Sequence, residues 1–263
     1  GLIDYDESSY PRYHMIDQTK NHLCKLVMIL QEVNEPILNI AVSKAASLLG
    51  ADDVEITGDL GWDHDYHGRI FSEMADIIFV STKTHMCLQR FADTSTVPVL
   101  CMMSRTHATI QSLATVMAIM VRYCCNYLVY RIRKQVGRSR ENMLKWKLIV
   151  SPLLMNASQA LSQTTSTETR QCAESYEALW NASVIIAGPT TKKKEKIPEF
   201  TLDVATINSK TCCRWIFFHT CPRGKEVDDT LFMNPNARTF TMFQNMHLIS
   251  AALMAYLLKA YTF

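Results

Sequence analysis

The chain has 263 residues, 48% of them apolar, with 27 basic against 25 acidic side chains and a formal net charge of +2. So small a charge gives no electrostatic case for nucleic acid as the main partner. The apolar share can supply a real core, so the sequence predicts a folded protein of one large or two modest domains.

Short apolar runs alternate with helical patterns between residues 25 and 135. Such alternation predicts a parallel sheet covered by helices on both faces, that is, an α/β domain. The longest apolar region, residues 110–130, is interrupted by Gln111 and Arg122 and predicts an amphipathic core helix rather than a membrane span. The predicted strands are 25–30, 52–57, 76–81 and 97–102, and the other predicted helices are 36–49, 66–74 and 86–92.

The rest of the chain predicts a second, shortened α/β domain over residues 136–246. Strands are expected at 148–150, 183–188 and 214–219, and residues 247–263 complete a C-terminal helix that packs back on the body. Residues 1–24 form an N-terminal arm without the basic flank and apolar run of a secretory signal. A basic segment at 131–147 is expected to be a solvated helix end and linker, or else a docking surface.

Nine cysteines are present, but none forms a Cys-x-x-Cys pair. This pattern favours buried, reduced thiols over disulfides or metal ligands. The cluster of Asp63, His64, Asp65 and His67 could bind a divalent metal, yet without a distant third ligand it is better interpreted as a polar surface loop. We therefore expect no metal and no cofactor.

Three motifs carry a family resemblance. Residues 217–229, FFHTCPRGKEVDD, are similar to a strand that ends in His-Cys-Leu-Pro-Arg followed by Glu-Val-Asp-Asp. FSEMADIIFVST at 71–82 and VPVLCMMSRTHATIQSLA at 97–114 resemble two further segments of the same family. The chain thus resembles the aspartate/ornithine carbamoyltransferases, and ornithine carbamoyltransferase most closely. This resemblance implies an α/β, two-domain carbamoyltransferase-like fold with parallel sheets flanked by helices and a shortened second domain.

The resemblance fails at the phosphate loop. The family holds dianionic carbamoyl phosphate with a Ser-Thr-Arg-Thr-Arg loop at a helix start, where backbone amides and guanidiniums meet the phosphate oxygens. Here the matching segment contains Asn34, Glu35 and Pro36. Proline has no N–H to donate, and Glu35 puts a negative charge where the phosphate would bind. We expect the Glu35 carboxylate instead to interact with the free backbone amides at the start of its helix.

Other family motifs are also degenerate. The His-Pro-x-Gln motif becomes Ala108, Thr109 and Gln111, with His107 one position early. A local bulge could still bring the His107 side chain to the position of the motif histidine. Gly188 replaces the ornithine-binding Asp, lysines replace the Ser-Met-Gly loop, and the final motif keeps only Gln244 and Asn245 without its Arg. Four residues of the motif after the last predicted strand remain: His219, Cys221, Pro222 and Arg223.

These losses predict a protein that is not an enzyme. We expect a catalytically inactive homologue that serves as a structural subunit among other proteins of a mitochondrial assembly, on the matrix side and peripheral to the membrane. A respiratory-chain complex is favoured, because eukaryotic ornithine carbamoyltransferases are commonly matrix enzymes and the low net charge disfavours rRNA contact. The alternatives are a divergent transferase with a different carbamoyl or acyl donor, and a mitoribosomal accessory protein.

Overall fold

The computed structural model describes residues 26–59, 64, 66–124, 145–148, 168–172, 175–189, 201–212 and 214–258. The chain divides into two compact units, one made of Gly1–Ala114 with Gln244–Phe263 and the other of Thr115–Phe243. The boundary expected at residue 135 and the arm at 1–24 lie outside the described residues. Among the helices that are described, none has the length and apolar character needed to cross a bilayer.

The first unit is built on a four-stranded parallel sheet in the order β2-β1-β3-β4. β1 and β3 lie in its centre and are almost fully buried, which explains why their sequences are continuous apolar runs. The predicted alternation of strands and helices is confirmed. The elements are β1 (Leu26–Gln31), α1 (Pro36–Leu48), β2 (Asp52–Thr57), α2 (His67–Ser72), β3 (Ile77–Ser81), α3 (His85–Thr94), β4 (Val99–Met103) and α4 (Thr109–Cys124).

Helices cover both faces of this sheet. On one face, Met28 and Val80 pack against Leu88 and Phe91 of α3. Because successive strand side chains point to opposite faces, the next residues along β1 and β3 point the other way. α1 lies on that second face, since its Ser43 hydroxyl hydrogen-bonds the Asp53 carboxylate of β2. The predicted α/β organisation of this unit is therefore confirmed.

The second unit contains two parallel strand pairs in its described part. β5 (Lys145–Leu148) pairs with β6 (Glu168–Gln171), and β7 (Val184–Ala187) pairs with β8 (Ile216–His219). The strand expected at 148–150 begins earlier, at Lys145, and β6 was not predicted because its sequence, ETRQ, contains no apolar run. The short helices are α5 (Ser175–Leu179), α6 (Val204–Lys210) and α7 (Asp229–Phe232).

The core of the second unit lies around β8. Phe217 and Trp215 are buried there together with Ile207 of α6 and Leu231 of α7. The final helix, α8 (Thr239–Leu257), starts before the helix predicted at residues 247–263, so the segment FTMFQNMH forms its first turns; from Gln244 onward α8 belongs to the first unit. Met242 and Met246, four residues apart on one side of α8, are both buried, which explains why these turns are helical.

Candidate functional site

The carboxyl ends of the strands in the first unit carry the loops in which the sequence places the phosphate site. Residues 32–35 follow β1, residues 82–84 follow β3, and residues 104–108 follow β4. Parallel strands end at the same edge of a sheet, and open α/β sheets bind ligands at that edge. The side chains of these three loops therefore determine which ligands this edge can accept.

Glu32 links the first two loops. Its carboxylate accepts hydrogen bonds from the Thr82 hydroxyl (2.6 Å) and the Lys83 amide (3.1 Å), and lies 3.5 Å from the Lys83 ammonium. Burial alone would raise the pKa of Glu32, but these bonds and the lysine charge outweigh it and lower the pKa. The carboxylate is thus held ionised, and the nearby lysine is already engaged by it.

Glu35 does not cap α1 as the sequence predicted. The N-cap makes no side-chain hydrogen bond to the helix; instead the Glu35 amide donates to Oε1 of Gln31 at 2.8 Å. Burial raises the pKa of its carboxyl group. Pro36, exposed at the first helical position, has no N–H, so this helix start offers a phosphate one amide fewer. Asn34 is exposed in the same loop.

His107 is exposed after β4, outside α4. Its ring stacks on that of His85, with centroids 3.9 Å apart, and its Nδ1 lies 2.8 Å from the Thr106 hydroxyl. Ala108 is half-buried, whereas Gln111 is buried in the first turn of α4. The pairing of β3 with β4 shifts register after Val80, so the strand is irregular before this loop.

A buried histidine and a buried glutamate organise the loop after β8 in the second unit. His219 Nε2 lies 2.9 Å from Glu226 Oε1, and His219 Nδ1 accepts the Cys221 amide at 2.9 Å. The same Glu226 oxygen accepts the Gly224 amide at 2.7 Å. Burial lowers the pKa of His219, Glu226 opposes that change, and Arg223 adds to it. These contacts hold a neutral imidazole that fixes the backbone of the turn.

The other retained motif residues are part of this turn. Cys221 has a φ of 50° and is joined to Pro222 by a cis peptide bond. Burial raises the pKa of the Cys221 thiol, which disfavours a reactive thiolate. The Arg223 guanidinium pairs with Asp229 and lies 4.9 Å from the centroid of the Phe232 ring. Arg223 therefore fastens the turn to α7.

The remaining predicted positions lie elsewhere in the two units. Gly188 is exposed after β7, and a Cβ there would come within 3.3 Å of the Thr220 hydroxyl. Gln244 is exposed on α8. Asn245 is half-buried, and its Nδ2 is a buried donor for which the described residues offer no partner.

The proposed metal cluster is only partly described. Asp63 and Asp65 lie outside the described residues, while the rings of His64 and His67 are 5.2 Å apart, edge to face. Across the described ranges, no three His, Cys, Asp or Glu side chains are arranged to hold a metal ion.

Sequence reasoning did not single out several residues of these sites: Glu32, Thr82, Lys83, His85, Ser104 and Glu226. The signal for the first five is that each lies shortly after a parallel strand, at the edge where such strands end. Glu226 lies in the Glu-Val-Asp-Asp segment of the resemblance, but nothing in that motif predicted its contact with His219.

Comparison with known proteins supports the fold. No family model matches the chain, and no curated protein sequence matches it. Among solved structures, ornithine carbamoyltransferase from Pyrococcus furiosus is 15% identical with a TM-score of 0.74, covering 95% of this chain and 91% of that one. The mitochondrial enzyme from Coccidioides immitis is 16% identical with a TM-score of 0.74, covering 90% and 85%.

The anabolic ornithine carbamoyltransferase from Campylobacter jejuni gives 18% identity and a TM-score of 0.70, covering 93% and 91%. The likeness extends over nearly the whole of each chain. The chain therefore has the carbamoyltransferase fold that its motifs predicted. At such low identity this likeness concerns the fold and not the chemistry.

Proposed function

We propose that this protein is a carbamoyltransferase-fold subunit that does not transfer carbamoyl groups and serves instead as a structural part of a larger protein assembly. The observation that carries the proposal is the loop between β1 and α1. Glu35 and Pro36 lie there where the resemblance calls for arginines and hydroxyls, and a second carboxylate, Glu32, precedes them.

The β1–α1 loop opposes a dianion. The Glu32 carboxylate engages Lys83, and the half-buried Glu35 carboxyl group makes no hydrogen bond to the helix start, so a phosphate in this loop would meet two carboxylates. Losing one preorganised donor commonly costs about 10² to 10³ in rate. The resemblance requires several such donors in this loop. Because they are missing together, we expect carbamoyl transfer to be abolished and not merely slowed.

The outer face of α1 supports a role in assembly. Ile37, Ile40 and Leu48 are 49%, 66% and 58% exposed, although the opposite side of the helix is packed on the sheet. Lys44 and Ser47 are exposed on the same side, so this face combines three apolar side chains with two polar ones. We infer that another protein covers this face, because exposed apolar side chains grouped on one element mark interaction sites.

We further propose that the assembly is mitochondrial, on the matrix side and peripheral to the membrane, and that it is a respiratory-chain complex. The support is the resemblance, together with the mitochondrial origin of one structural neighbour. The low net charge favours a protein partner over rRNA.

Isothermal titration calorimetry of the full chain with carbamoyl phosphate tests the lost activity. An active ornithine carbamoyltransferase titrated under identical conditions is the positive control. We expect no saturable heat for this chain in the millimolar range. Binding tighter than about 1 mM, or about −4 kcal/mol, would contradict the proposal and favour the divergent transferase.

A further inference from the structure

Two histidines meet at the carboxyl edge of the first sheet, outside the loop discussed above. His85 is the first residue of α3 and His107 lies in the loop after β4; their rings stack at 3.9 Å with an interplanar angle of 21°. The lone pairs of the ring nitrogens lie in the plane of each ring. Because the two planes are nearly parallel, lone pairs from the two histidines do not converge on one metal ion. The pair must therefore be understood through its hydrogen bonds.

Ser104 is the hydrogen-bond partner of His85. The Ser104 Oγ accepts the amides of His107 (3.1 Å) and Thr106 (3.4 Å), which occupies both lone pairs of the hydroxyl. His85 Nδ1 lies 3.2 Å from this oxygen, and the Cys101 thiol is a further hydrogen-bond partner of the Ser104 side chain. When the Ser104 hydroxyl donates to His85, Nδ1 is the acceptor and the neutral imidazole carries its proton on Nε2.

Protonation of His85 would place an N–H opposite a hydroxyl oxygen that has no lone pair left. The Ser104 hydroxyl would then have to release the Thr106 or His107 amide in order to accept the new donor. Two stacked imidazolium rings would also repel each other by about 1 kcal/mol at this separation in water. Both effects act on the loop at residues 104–107.

We propose that His85, His107 and Ser104 form a proton-operated latch, which holds residues 104–107 against the start of α3 at neutral pH and releases them when the imidazoles are protonated. The loop leads directly into α4 at Thr109. Its release therefore loosens the edge of the sheet where ligands and partners bind in this fold class.

Burial and the neighbouring imidazole favour the neutral, closed form. Of the charged residues on the adjoining segments, Lys83, just before α3, pairs with Glu32, and Arg105 is exposed on the loop. The start of α3 also disfavours a cation. Burial lowers the pKa of His85, and His107 lowers it further; burial raises the pKa of the Cys101 thiol on β4, so that thiol stays uncharged.

Amide exchange of the full chain, followed by NMR between pH 7.5 and 5.5, tests the latch. The His107 amide should lose at least tenfold of its protection, after correction for intrinsic exchange, while the Ser112 amide, bonded to Ala108 in α4, keeps its protection. In His85→Phe an aromatic ring can still stack on His107, but no Nδ1 remains to be protonated opposite Ser104, so the loss should fall below threefold. His64→Phe, an exposed ring elsewhere, should behave like the unaltered chain.

Equal loss in His85→Phe and in the unaltered chain, or no loss at all, would overturn the latch. The imidazole signal of His85 gives a second readout that needs no variant. Because burial lowers its pKa, the His85 ring should titrate below the usual 6.5. A His85 midpoint at or above 6.5 would also overturn the latch.

Discussion

His219 donates from Nε2 to the Glu226 carboxylate across 2.9 Å, and neither side chain reaches solvent. The direction of the bond follows from the other ring nitrogen, which accepts the Cys221 amide and so carries no proton. The retained motif residue His219 therefore acts on the backbone of its own turn, and Glu226 is the group that fixes its tautomer.

Removing the carboxylate should destabilise the second unit. Glu226→Ala leaves the His219 Nε2–H and the Gly224 amide without this acceptor, and each buried donor left unsatisfied costs about 1 to 3 kcal/mol. Urea unfolding should show this loss in the free energy of unfolding. The control is Glu73→Ala, whose exposed pair with Arg69 contributes under about 0.5 kcal/mol; similar losses in both variants would contradict the argument.

Mild acid should weaken the fold through His219. Burial depresses its folded pKa below the usual 6.5, so the unfolded chain takes up the proton first. The stabilising contribution is complete above pH 6.5 and is lost as pH falls through 6.5 towards the folded pKa. Burial also lowers the folded pKa of His85, so protonation of His85 lowers the unfolding free energy in the same direction of pH. The unfolding free energy should therefore fall between pH 7 and 5.5, with a shallower slope in His219→Gln; an unchanged slope would refute this assignment.

The start of α1 can be improved. Glu35 makes no cap hydrogen bond and its carboxyl group is partly desolvated, so Glu35→Ser should supply an acceptor for a free helix amide. We expect a gain of about 0.5 to 1 kcal/mol in the free energy of unfolding. Glu35→Gln removes the charge without adding a cap and should gain less. A loss of stability in Glu35→Ser would show that Glu35 does stabilise this helix start.

The outer face of α1 should matter for assembly and not for folding. Ile40→Glu places a charge on a side chain that is 66% exposed, so the unfolding free energy should stay within about 0.5 kcal/mol. The fraction of the protein recovered in its native assembly should fall severalfold. Met86→Glu, 64% exposed on α3 across the sheet, is the matched control. Equal recovery of both variants would argue against the α1 face.

The sequence predicted the first unit well because its central strands are buried on both faces. A strand such as β3 then contains only apolar residues before Ser81, and the helices between strands carry apolar residues at helical spacing. β6 could not be predicted, because its residues are polar and its strand identity depends on pairing with β5, far earlier in the chain.

The sequence predicted where the candidate sites lie better than it predicted which side chains contact each other there. The motifs located the loops after β1, β4 and β8, but the side-chain partners within them depend on backbone paths that no spacing records. His219 and Glu226 meet because the chain turns back between them. The prediction that Glu35 caps α1 was wrong for the same reason. The sequence could not show that the Glu35 amide binds Gln31 while its carboxylate makes no bond to the helix.

The central claim is that this fold serves assembly and not carbamoyl transfer. The most direct test is native mass spectrometry of the full chain, purified with an affinity tag from its own cells. We predict one copy of the chain bound to unrelated subunits of a mitochondrial complex. Recovery as a homotrimer that contains no other protein and converts carbamoyl phosphate and ornithine to citrulline would contradict the account.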